Sequence, residues 1–139
     1  MKELNFDHLA YEWTPIQGKT FTIQVRAWKF GESERDTWKW NVYALIFEEH
    51  PMFGKFEWAD GLPMHGGVTY DKVITTEPAV KKYEWQKTFK AMKYGSDYSH
   101  AYDEYFEACD PKDGIPYQIQ NDVRELYAHL LECMEGELS

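Results

Sequence analysis

The segment Thr20-Phe21-Thr22-Ile23-Gln24-Val25-Arg26-Ala27-Trp28-Lys29-Phe30 alternates with a period of two. Phe21, Ile23, Val25 and Ala27 point one way, and Thr22, Gln24 and Arg26 point the other. Successive side chains of a strand leave opposite faces, so this is a strand with one face buried. Residues 31–36 are a polar connection, and a second run follows from Thr37 to Phe47. There Trp38, Trp40 and Val42 share one face while Tyr43, Leu45 and Phe47 occupy the other. Two apolar faces predict a central strand covered on both sides. The two strands are expected to form an antiparallel hairpin with a long loop. Pro51 biases His50 toward an extended conformation and ends the second strand.

Beyond this pair, residues 51–67 carry Pro51, Gly54, Gly61, Pro63, Gly66 and Gly67 and read as loops. Val68 to Ile74 predicts another strand. Residues 77–85 fit either element, with Pro78 placed as in a first helical turn. Gln86 to Asp97 reads as a strand, although Trp85, Phe89 and Met92 also fit a helical stripe. Ile119, Val123, Leu126, Tyr127, Leu130 and Met134 recur at spacings of three and four, which marks an amphipathic helix. Pro116 precedes it, Gly136 stands where a C-terminal cap belongs, and Asp122, Glu125, His129 and Glu132 take the wet side. The fold class is therefore α+β: an antiparallel sheet with a C-terminal amphipathic helix packed on one face, in a single domain spanning residues 1–139.

The 139 residues include 6 Trp, 10 Tyr and 8 Phe, more rings than a core of this size needs, so some are expected to line a pocket or interface. The formal net charge of -9 argues against sequence-independent binding of duplex nucleic acid. Charge is uneven, however. Residues 81–93 hold Lys81, Lys82, Lys87, Lys90 and Lys93 against Glu84 alone, whereas residues 103–139 hold ten acids against Lys112 and Arg124. Local potential decides the binding of small anions, so the lysine stretch is a candidate phosphate contact, or else simply a solvated face. No run of residues is long and apolar enough for a membrane span, and the N-terminus lacks the apolar region of a signal peptide. A cytoplasmic protein with two reduced thiols, Cys109 and Cys133, is expected.

Three short segments gather polar groups beside glycines: Glu49-His50-Pro51-Met52-Phe53-Gly54, His65-Gly66-Gly67-Val68-Thr69-Tyr70, and the run from Gly95 to Asp103. Paired glycines after a histidine let backbone N–H groups approach a ligand closely. Asp97, His100 and Asp103 recur at intervals of three. Two chemistries compete. His50, His65, Asp97, His100 and Asp103 make a donor set suited to Zn or Mn and to hydrolysis by a bound water. Alternatively, His50, His65, Gly66, Gly67, Thr69, Tyr70, Asp97, His100 and Asp103 hydrogen-bond and stack on a ligand whose phosphates meet Lys87, Lys90 and Lys93. Each motif also has a plain structural reading, since His-Pro and Gly-Gly are usually turns and an Asp near a helix start is usually a cap. No Gly-x-Ser-x-Gly elbow, Walker loop or Rossmann glycine pattern occurs.

The order His-Pro-x-x-Gly (His50 to Gly54), His-Gly-Gly-x-Thr-Tyr (His65 to Tyr70) and Gly-x-Asp-x-x-His-x-x-Asp (Gly95 to Asp103), followed by a terminal amphipathic helix, resembles a family of small phage and prophage proteins. The resemblance spans roughly residues 40–134, and the sequence departs from it at Ser96, Tyr98 and Tyr102. It implies a phage origin and names no reaction. Small acidic phage proteins often act against host defences, an association rather than a property of these residues. The leading expectation is an anti-defence protein in the cytoplasm of the infected bacterial host. It would bind and sequester a nucleotide-like immune signal without cleaving it, a reading that leans against an enzyme and leaves the question open. Binders of this kind often build pockets between subunits, so a homo-oligomer is expected, with no membrane partner. The alternatives are a metal-dependent phosphohydrolase and an acidic inhibitor of a nucleic-acid-binding defence protein.

Overall fold

The period-two segments become strands in the computed structural model, which describes residues 8–30, 38–55, 61–76, 89–98 and 104–138. The strands are β1 (His8–Gln17), β2 (Phe21–Phe30), β3 (Lys39–Phe47), β4 (Tyr70–Thr76) and β5 (Phe89–Asp97). A single-turn helix α1 (Glu104–Glu107) and a 3-10 turn at Pro111–Asp113 lead into the long helix α2 (Tyr117–Leu138). The sheet order is β1-β2-β3-β5-β4, with every neighbouring pair antiparallel. This is the expected α+β architecture, with β3 at its centre.

β2 and β3 pair as anticipated, with Val25 opposite Val42 and Ala27 opposite Trp40. β1 has no clean sequence signal, and its register explains why. Tyr11 and Trp13 share a face, but the pairing slips between Trp13 and Ile16, where Pro15 stands. A bulge on an edge strand tolerates proline and breaks the alternation that identifies a strand. The ambiguous region before Asp97 resolves into β5 from Phe89 onward.

One face of the sheet carries the core. Ile23, Val25, Trp40, Ala44, Ile46, Met92 and Tyr94 are buried there against Ile119, Val123, Leu126 and Leu130 of α2. Burying each large side chain of that stripe contributes roughly 1.5–3 kcal/mol. Much of the aromatic surplus is spent in this layer rather than around a pocket. Trp13 stacks on Trp40 with ring centroids 5.6 Å apart, Tyr11 meets Trp38 edge-on at 5.7 Å, and the Trp40 indole donates to the Cys109 carbonyl. The helix does not end at Gly136 but continues to Leu138. No helix among the described residues is long and apolar enough to cross a membrane.

The opposite face departs from expectation. β3 is central in order, but no helix among the described residues covers its second side. Leu45 is buried there, while Tyr43 and Phe47 remain half-exposed. Tyr43 gains its partial burial from neighbours on the same face, Gly95, Tyr70 and Lys93, because α2 packs on the opposite, core-bearing side.

Candidate functional site

Antiparallel register builds three cross-strand rows on the open face. Glu12, Arg26, Asn41 and Asp97 form the first, and Gln24, Tyr43, Gly95 and Tyr70 the second. Thr22, Leu45, Lys93 and Lys72 form the third. Gly95 determines the shape of the middle row. A Cβ built on it would fall 2.6 Å from the Tyr43 ring, so that ring lies directly on the glycine backbone. Tyr70 meets Tyr43 edge-on with centroids 5.8 Å apart. The Lys93 ammonium sits 4.3 Å from the Tyr43 ring centre and 5.9 Å from that of Tyr70, and Lys72 stands 5.8 Å from Tyr70. Cations over aromatic faces are held electrostatically by the ring quadrupole.

The electrostatics follow from this crowding. Burial pushes the Tyr43 phenol above its ordinary value, Arg26 pulls it back, and Tyr70, Asp97 and Glu12 reinforce the rise. Burial pushes the Lys93 ammonium below its ordinary value, with Glu12 opposing and Arg26 adding to the fall. Tyr43 is thus held as a neutral phenol, next to two cations that repel each other. Beside this cluster, toward the turn between β1 and β2, an open groove of about 780 Å³ runs between Thr22, Gln24, Leu45, Phe47, Lys19 and Glu49. Phenols, an ammonium, a guanidinium and amides bind planar rings and anions.

The sequence candidates do not converge on one place. Tyr70, Lys93 and Asp97 lie on the open face. Lys90 is exposed and falls on the other face by register, its backbone N–H 3.4 Å from a Glu48 carboxylate oxygen. His50 is buried in the core, where Nε2 contacts the Leu130 carbonyl at 3.0 Å and Nδ1 accepts from the Met52 N–H at 3.1 Å. Both nitrogens are committed inside the protein, which leaves none for a ligand. His65 stacks on buried Tyr98 at 4.3 Å and 10°, and meets Phe106 edge-on. Its partner Tyr98 donates to Asp122 of α2 at 2.5 Å. Gly66 and Gly67 have φ of 67° and 85°, and the Gly67 N–H closes a turn onto the Met64 carbonyl. Thr69 bonds the Gly95 carbonyl through its N–H, which starts β4. Lys87, His100 and Asp103 lie outside the described residues.

Among the described residues, no group of three or more His, Cys, Asp or Glu side chains is placed to hold a metal ion. The two cysteines are free thiols, and burial raises both above the ordinary thiol value, the reverse of an activated nucleophile. Arg26, Tyr43, Lys72 and Gln24 were not singled out as site residues in the sequence. Their signal was present in the alternation that places Arg26 and Gln24 opposite the core side of β2. What was missing was the knowledge that β5 brings Lys93 beside Tyr43. Comparison of the chain with protein-family models, with curated proteins and with solved structures finds no match.

Proposed function

We propose that this chain binds a planar, phosphate-bearing ligand of the nucleotide class on the open face of its sheet and holds it without cleaving it. The observation that carries this reading is the Lys93 ammonium poised 4.3 Å from the Tyr43 ring, on a glycine floor and beside Tyr70. A base stacks on an aromatic face whatever its sequence, and a neighbouring cation meets its phosphate. The adjoining groove of about 780 Å³ is large enough for a dinucleotide-sized molecule. The resemblance to phage proteins gives this binding its biological form: sequestration of a nucleotide-like immune signal.

The test is direct. Purified protein is mixed with candidate signalling nucleotides, free ligand is removed, the protein is heat-denatured, and the supernatant is chromatographed. Recovery of intact nucleotide supports sequestration, and Lys93→Gln and Tyr70→Ala should each reduce the amount recovered. Recovery of an altered nucleotide overturns the non-cleaving reading in favour of hydrolysis. No depletion of any nucleotide overturns the ligand class.

A further inference from the structure

Arg26 stands on β2 near the middle of the open face, in register with Glu12 on one side and Asn41 on the other. Its Nε is buried and has no hydrogen-bond partner. Among the described residues it makes no ion pair, although Glu12 faces it directly across the strand pair. The Asn41 side-chain carbonyl next to it already receives the Trp28 indole N–H at 3.1 Å. Buried guanidinium donors are ordinarily satisfied, so an orphan here is an exception that calls for a partner. The neighbouring cation, Lys93, is itself engaged only with ring faces in the contacts around Tyr43 and Tyr70. Two cations therefore share one partly desolvated patch, with the Glu12 carboxylate close enough to favour the Lys93 ammonium but in ion-pair contact with neither cation.

We infer that Arg26 and Lys93 together take one phosphate-type oxyanion beside the Tyr43 ring, with Arg26 supplying orientation and Lys93 supplying charge. The inference rests on the sheet-face reading above and adds the residue that recognises the anion. A guanidinium presents a rigid fork of donors that matches two oxygens of a phosphate, whereas an ammonium acts as a point charge. The anion would give the Arg26 Nε–H the acceptor it lacks and would relieve the repulsion between the two cations. Glu12 and Asp97, in the same row as Arg26, put negative charge beside the seat that the two cations must outweigh.

The probe is inorganic pyrophosphate, titrated into the full chain at constant ionic strength set with chloride. The readout is the Arg26 Nε–Hε correlation in a nitrogen–proton NMR spectrum. Its resonance should move saturably in the unaltered protein. Apparent affinity should fall about tenfold, which is about 1.4 kcal/mol, in Lys93→Gln. Arg26→Lys should also lose the response at the Tyr43 and Lys93 amides, because charge alone does not restore the fork. The inference is overturned if the Arg26 signal stays still while other amides shift, or if Arg26→Lys binds as the unaltered chain does. The wild-type spectrum carries the test even if a variant folds poorly. A nucleotide that binds without moving the Arg26 signal removes this inference and leaves the sheet-face reading intact. Pyrophosphate that moves it when no nucleotide binds supports the anion pair and removes the nucleotide reading.

Discussion

The His50 imidazole is joined to the Leu130 carbonyl across 80 positions of the chain, and this contact ties the turn after β3 to α2. A carbonyl only accepts, so Nε2 carries the proton and Nδ1 accepts from the Met52 N–H. Protonating Nδ1 would turn that acceptor into a donor facing a donor.

This pairing makes stability depend on pH. Burial holds His50 below the ordinary histidine value, the Leu130 carbonyl opposes the fall, and His129 adds to it. The unfolded chain therefore binds the proton first. The contribution is complete above about pH 6.5 and is lost as the pH falls from there through the lower folded value. Urea midpoints measured from about pH 7.5 down to about pH 5 should decline in the unaltered chain. They should decline less in His50→Leu, which should also be less stable throughout by roughly 1–3 kcal/mol because two backbone groups lose their partner. Equal slopes in the two proteins would remove His50 from the account.

Tyr98 and Asp122 join the end of β5 to α2. Tyr98→Phe keeps the ring under His65 and deletes only the hydroxyl. It should cost roughly 1.5–3 kcal/mol, the range for a hydrogen bond to a charged group. His65→Ala should cost less, about 0.5–1.5 kcal/mol, since it removes a stacked ring from a partly exposed position. Thermal unfolding of both variants checks the order. A reversed order would mean that His65 carries more of the local structure than its stacking geometry implies.

Gly95 is the position least able to accept a side chain, because its missing Cβ is the space the Tyr43 ring occupies. Gly95→Ala should destabilise the chain by about 1–3 kcal/mol through overpacking. It should also lift the Tyr43 ring from its floor, changing its chemical shifts and bringing its phenol back toward the ordinary value as burial is lost. Unchanged ring shifts would contradict the close packing.

The Tyr43 phenol should ionise later than the exposed tyrosines in an alkaline absorbance titration. Between the ordinary value of about 10 and the raised folded value, the unfolded chain ionises first, so stability falls as pH rises through that window. Removing the nearby cation with Arg26→Gln should delay the ionisation further, because Arg26 now favours the phenolate. A shift in the opposite direction would separate Arg26 from Tyr43.

The amino-acid pattern by itself determined the β2–β3 pair, the α2 stripe and the α+β class. Each rests on a local period: two residues for Phe21 to Ala27, three to four for Ile119 to Leu130. Local period also assigned Arg26 and Gln24 to the face opposite the core. β1 escaped because its bulge at Pro15 shifts the period within ten residues. The candidate site was legible only in fragments. Lys93, Tyr70 and Asp97 were named, but so were His50 and His65, whose glycine- and proline-rich settings look alike in sequence whether they serve a ligand or a turn. Tertiary structure alone decided between them. Insertion of β5 between β3 and β4 sets Lys93 beside Tyr43 and Gly95 beneath it, while packing of α2 brings the Leu130 carbonyl to Nε2 of His50, whose Nδ1 is already taken by the Met52 N–H of its own turn. Contacts of that kind depend on strand order and on which face a helix covers, and neither is encoded in the period of any single segment.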